Sequence, residues 1–132
     1  MPPQLAAFAR STLVHVAFAF LAMGAWAVFA NRAAGLAHAL TAGLVQGLAS
    51  GAITLALKRF LEAASMRLSG VWALVAPPAI SCSAILVLLV TAHRLAGTAH
   101  VWATISLPWA VSSTYAWVYV WTLTRERAPA RA

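Results

Sequence analysis

The chain has 132 residues, enough for one domain and too few for a second. Apolar residues make up 63% and charged residues 8%, against roughly 45–50% and about 25% in soluble domains. That balance excludes a water-dispersed globule, and lipid is the expected solvent. The net charge of +7 is not a nucleic-acid signal, because the nine basic residues lie scattered between apolar runs rather than along one face.

In chain order, four uncharged segments approach or exceed the ~20 residues that cross a ~30 Å hydrocarbon core. They run 12–30, 33–57, 71–91 and 101–124, and none holds an Asp, Glu, Lys or Arg. The first is longer than the 7–15 apolar residues of a signal peptide and leads almost directly into the second, so it is expected to be retained. Arg10, Lys58, Arg59, Arg67, Arg125, Arg127 and Arg131 fall on one side of these spans, and only Arg32 and Arg94 on the other. Seven against two places both termini in the cytoplasm of a bacterial-type inner membrane, by the excess of cytoplasmic Lys and Arg. Trp72, Trp102 and Trp121 lie near span ends, where indole rings prefer the interface. Residues 58–70 mix Phe60, Leu61, Met66 and Leu68 with Lys58, Arg59, Glu62 and Arg67. They read as a short amphipathic helix in the headgroup layer.

An internal repeat links the second and fourth spans. Arg32-Ala33-Ala34-Gly35-Leu36-Ala37-His38 and Arg94-Leu95-Ala96-Gly97-Thr98-Ala99-His100 share R-x-A-G-x-A-H at an offset of 62 residues. The fold expected is all-α, an integral membrane four-helix bundle made of two tandem hairpins related by a pseudo-twofold axis along the membrane normal. His38 and His100 then sit at equal depth beneath Arg32 and Arg94.

Helix association in lipid depends on close packing. The second span carries Gly35, Ala39, Gly43, Gly47 and Gly51 at fourfold spacing, a ridge suited to an intrachain seam or a homodimer seam. Gln46, Ser50 and Thr54 fall beside it. The fourth span has a stripe of His100, Thr104, Pro108, Ser112, Tyr115 and Tyr119. The third is expected to break at Pro77-Pro78, just before Ser81, Cys82 and Ser83. These polar positions predict a semi-polar interior lined by the second, third and fourth spans. The first faces lipid most.

The chemistry available is narrow. The chain has no Asp, and its two carboxylates, Glu62 and Glu126, lie outside the spans. Nucleophile-and-base chemistry that leans on an orienting carboxylate has no residues to build it, so the expectation is not an enzyme. Cys82 reads as a small buried hydrophobe, and His15 as structural. Arg32, His38, Arg94 and His100 form a candidate outer-face site for an anionic solute or headgroup. The same two histidines are the alternative ligands of a b-type haem; otherwise no cofactor or metal is expected. The leading expectation is a non-enzymatic membrane protein handling a small solute or lipid as a homo-oligomer. The alternatives are an accessory subunit docked on another membrane protein, and a haem protein.

Overall fold

The computed structural model describes residues 2–4, 7 and 11–127. Arg10 and Arg131, two members of the charge count above, lie outside that set. Between residues 11 and 127 the chain forms α1 (Thr12–Ala30), a 3₁₀ turn (Arg32–Ala34), α2 (Leu36–Arg67), α3 (Val71–Leu95) and α4 (Val101–Arg127). The upper end of the bundle is defined here by the α1–α2 and α3–α4 connections, and the lower end by the α2–α3 connection.

Three helices, α1, α2 and α3, are long and apolar enough to cross a membrane. The 27 residues of α4 are long enough at ~1.5 Å each, but Ser, Thr, Tyr and Pro dilute its apolar content. Helix α2 touches each of the other three, whereas α1 and α3 do not meet among the described residues. The arrangement is thus a four-membered ring with α2–α4 as its short diagonal.

Two expectations need correction. Residues 58–67 do not form a separate helix. They continue α2 to Arg67 and tie it to α4, through the Tyr119 hydroxyl donating to Glu62 and Arg127 Nη1 donating to Ser65 O at 3.1 Å. Helix α3 also runs unbroken through Pro77 and Pro78, both buried. A proline ring removes one backbone donor and leaves the carbonyl four residues earlier without its helical partner. For Pro77 that carbonyl is Ala73 O, and the buried Ser65 hydroxyl donates to it at 3.5 Å.

The core has two textures. Gly43, Gly47 and Gly51 pack against α1, where a Cβ on Gly43 would lie 3.0 Å from Gly24 O and one on Gly47 3.0 Å from Phe20. Gly43, Gly47 and Gly51 therefore serve as an intrachain seam against α1. Gly35 is not part of the seam: it is exposed and turns the chain into α2. On its other flank, α2 joins α3 and α4 in an aliphatic cluster of Ile53, Leu57, Leu61, Ile85, Leu89, Ile105, Ala116 and Val120.

Candidate functional site

Among the buried polar residues, Asn31, Gln46, His93 and Thr104 lie toward the upper end, whereas Ser65 is buried at the lower end. Asn31 ends α1 and is fully buried. Its Nδ2 donates to Ala27 O at 2.9 Å and to Thr104 Oγ1 at 2.7 Å, and its Oδ1 accepts from the His100 N–H at 3.0 Å. The His100 N–H is one of the donors that a helix start leaves without an intrahelical partner, so Asn31 caps α4 from a different helix. Thr104 completes the unit by donating its hydroxyl to His100 O at 2.7 Å.

His93 lies in the last turn of α3 and is also fully buried. Its Nε2 meets Gln46 Oε1 at 2.9 Å and its Nδ1 meets Thr98 Oγ1 at 2.8 Å. An amide oxygen only accepts, so Nε2 carries the proton, and Nδ1 accepts from the threonine hydroxyl. Gln46 Nε2 donates onward to Ser50 Oγ at 2.9 Å, and Thr54 Oγ1 donates to Ser50 O at 2.8 Å. The Thr98 N–H closes the α3 terminus on His93 O at 2.9 Å.

These two clamps hold the bundle across its sequence-adjacent hairpins. Asn31 on α1 reaches α4, and His93 on α3 reaches α2. The two residues are themselves 62 positions apart, each directly preceding the arginine of the repeat. The periodicity therefore extends one residue further upstream than the shared R-x-A-G-x-A-H, with a buried polar residue in both copies.

Inside the repeat the two copies part. Gly35 (φ +95°) immediately precedes α2, and its carbonyl accepts from the Ala39 N–H at 3.0 Å. Gly97 (φ +69°) instead follows α3. Both backbones occupy the left-handed region that favours glycine, which accounts for the shared Gly. His38 consequently lies inside the first turn of α2, whereas His100 precedes α4. The two histidines therefore occupy different positions relative to their helix starts.

The four residues of the expected outer-face site all lie at the upper end and are all exposed. Arg32 folds back on α1, donating Nη1 to Phe29 O at 2.7 Å with its guanidinium 3.9 Å from the Phe29 ring centroid. His15 is exposed as well. Of the polar interior positions, Gln46, Ser50, Ser81 and Thr104 are buried, Thr54 and Ser112 are half-buried, and Tyr115 is exposed and stacked on Tyr119. Ser81 turns its hydroxyl to Pro78 O at 3.0 Å. Among the described residues, no group of three or more His, Cys, Asp or Glu is placed to hold a metal ion.

Below the clamps, α3 and α4 are joined by Trp109 Nε1 donating to Cys82 O at 2.9 Å. Trp26 Nε1 ties α1 to Ala103 O of α4 at 3.1 Å. On the outer surface, a largely apolar groove of about 380 Å³ lies between α2 and α3. Compared with family models, curated proteins and solved structures, the chain finds no match.

Proposed function

We propose that the chain is a non-enzymatic, four-span inner-membrane protein whose single bundle is closed to solutes and which acts through its lipid-facing surface. The supporting observation is the stacking of two seals. Asn31–Thr104 and His93–Gln46 are satisfied, buried hydrogen-bonded clamps at one end, and an aliphatic cluster packs directly beneath them. A solute path through such an interior would have to break buried hydrogen bonds and then cross packed hydrocarbon. Between the two activities expected from composition, permeation of a small solute and the handling of lipid, this interior favours lipid.

The fourth span is part of this reading because α4 hides its polarity from lipid. Thr104, Ser106, Thr114, Thr122 and Thr124 each donate a hydroxyl to a carbonyl three or four residues earlier, which satisfies those groups without water. The cross-hairpin clamps, 62 residues apart, support a loose pseudo-twofold relation between the hairpins, stronger in the clamps than in the motif beside them. Arg32, His38, Arg94 and His100 remain a proposed outer-face contact for anionic headgroups. The haem alternative keeps His38 and His100 as its proposed ligands.

Reconstitution tests the proposal. Vesicles containing the full chain should release small ions and neutral solutes no faster than protein-free vesicles. Protein-dependent solute flux that rises on loosening a clamp with Gln46→Ala would overturn the closed-bundle reading. The accessory-subunit reading would seat a membrane partner against the α2/α3 groove. It predicts that the chain is degraded unless a membrane partner is co-expressed.

A further inference from the structure

The groove between α2 and α3 is walled by Ala52, Ala56 and Phe60 from α2 and Ile80, Ala84 and Leu88 from α3, with almost no polar surface. Alanines leave it hollow where larger side chains would fill it. Within a membrane such a hollow is lined for hydrocarbon, and what singles out its occupant is the charge at its lower end. On a helix turning about 100° per residue, Arg67 falls within about 20° of both Ala56 and Phe60, and about 10 Å below Phe60. It is exposed and ends α2. No acidic residue stands in the first turn of α3, which begins beside it. The lower end as a whole adds Lys58, Arg59, Arg125 and Arg127. Glu62 is engaged there by Tyr119 and by Lys58 at 3.9 Å.

We infer that this groove seats one acyl chain of an anionic phospholipid, with the headgroup held by Arg67. The inference rests on the four-span, lipid-facing reading above and adds the chemical class of the ligand and its site. Hydrocarbon contact along the alanines supplies the seat, and the guanidinium supplies preference for a negatively charged headgroup, which it binds with paired N–H donors. In the orientation read from the basic residues, the lipid belongs to the cytoplasmic leaflet, where anionic headgroups draw juxtamembrane cations.

The experiment uses the full chain in phosphatidylcholine vesicles carrying trace spin-labelled phosphatidylglycerol or phosphatidylcholine. Paramagnetic resonance reads the fraction of each lipid held motionally restricted by the protein. The expected result is a preference for phosphatidylglycerol that falls about fivefold in Arg67→Gln, the weight of one cation at an anionic membrane surface. Arg67→Lys should keep most of the preference, and Arg94→Gln, an equal charge change at the other end, should leave it intact. Ala56→Phe should fill the groove and lower the restricted fraction of both lipids. Equal restriction of the two lipids, or equal losses in Arg67→Gln and Arg94→Gln, would overturn the headgroup assignment. A disulfide-linked dimer formed by Ala56→Cys in a Cys82→Ser background would give the groove to a second copy instead. Release of the chain from membranes by alkaline carbonate would refute the membrane reading itself, a failure distinct from either of these.

Discussion

Replacing Gly43 by alanine is the sharpest test of how α1 and α2 are held together. The new Cβ would run into Val28 Cγ2 and lie 3.0 Å from Gly24 O. Neither neighbour yields readily, since a β-branched valine on a helix has essentially one χ1 rotamer and Gly24 O is backbone. The helices must separate, and overpacking of this kind costs ~1–3 kcal/mol. Alanine recovers ~1 kcal/mol of helix propensity over glycine. A net loss of up to ~2 kcal/mol should remain, from the difference of those two effects. Gly51 is the internal control, because its Cβ would meet only Val16 Cγ1 at 3.4 Å, an ordinary contact. Gly51→Ala should therefore be neutral or stabilising by up to ~1 kcal/mol. Reversible unfolding in mixed micelles, followed by tryptophan fluorescence, measures both variants. Val28→Ala combined with Gly43→Ala should cost less than the two single changes added, because the closest contact is shared. If Gly43→Ala is no worse than Gly51→Ala, the α1–α2 seam described here is wrong.

Other outcomes follow from the clamps and the lower end. Gln46→Ala orphans the buried His93 Nε2–H and should destabilise the bundle by ~1–3 kcal/mol, read in the same unfolding assay. Asn31→Ala removes the interhelical cap of α4 and should cost ~0.5–2 kcal/mol. Hydrogen exchange should then quicken first in the opening turn of α4. The Ser113 hydroxyl is buried without a partner among the described residues, so Ser113→Ala should be neutral or stabilising by ~1 kcal/mol. A clear loss of stability there would mean that the hydroxyl has a partner. Trp109→Phe removes the indole bond to Cys82 O and should cost ~0.5–1.5 kcal/mol, with little effect from Trp102→Phe on the exposed surface.

Much of the helical layout is legible in the apolar runs. The first span coincides with α1, and the third and fourth begin at the residues where α3 and α4 begin. Helix α2 overran its apolar run by ten residues, from Leu57 to Arg67, because hydropathy ends where lipid ends and a helix need not. Lys58 and Glu62, four residues apart, are the local sign that it continues. Fourfold glycine spacing identifies a close-packing ridge, but not what fills it. That depends on Gly24 of α1, whose small size lets the two backbones meet.

The upper-end clamps were less visible. Asn31 and His93 each follow an apolar run and look like loop flanks, and their partners Thr104 and Gln46 are 73 and 47 residues away. Only the packing of four helices selects those pairs. One signal was present: carried one residue upstream, the 62-residue offset pairs Asn31 with His93. The exposed His38 and His100 drew attention because they repeat, but the backbone accounts only for the shared glycine, Gly35 and Gly97, both with positive φ.

The central claim is a four-span bundle with α4 as its last crossing, and side-specific cysteine labelling tests it most directly. In a Cys82→Ser background, Ser69→Cys, Ala99→Cys and Glu126→Cys place one thiol in the α2–α3 connection, one in the α3–α4 connection and one at the end of α4. A membrane-impermeant maleimide should label Ala99→Cys in intact cells, and the other two only after permeabilisation. Labelling of Glu126→Cys from outside together with Ala99→Cys would mean that α4 does not cross, leaving a three-span protein and contradicting the account.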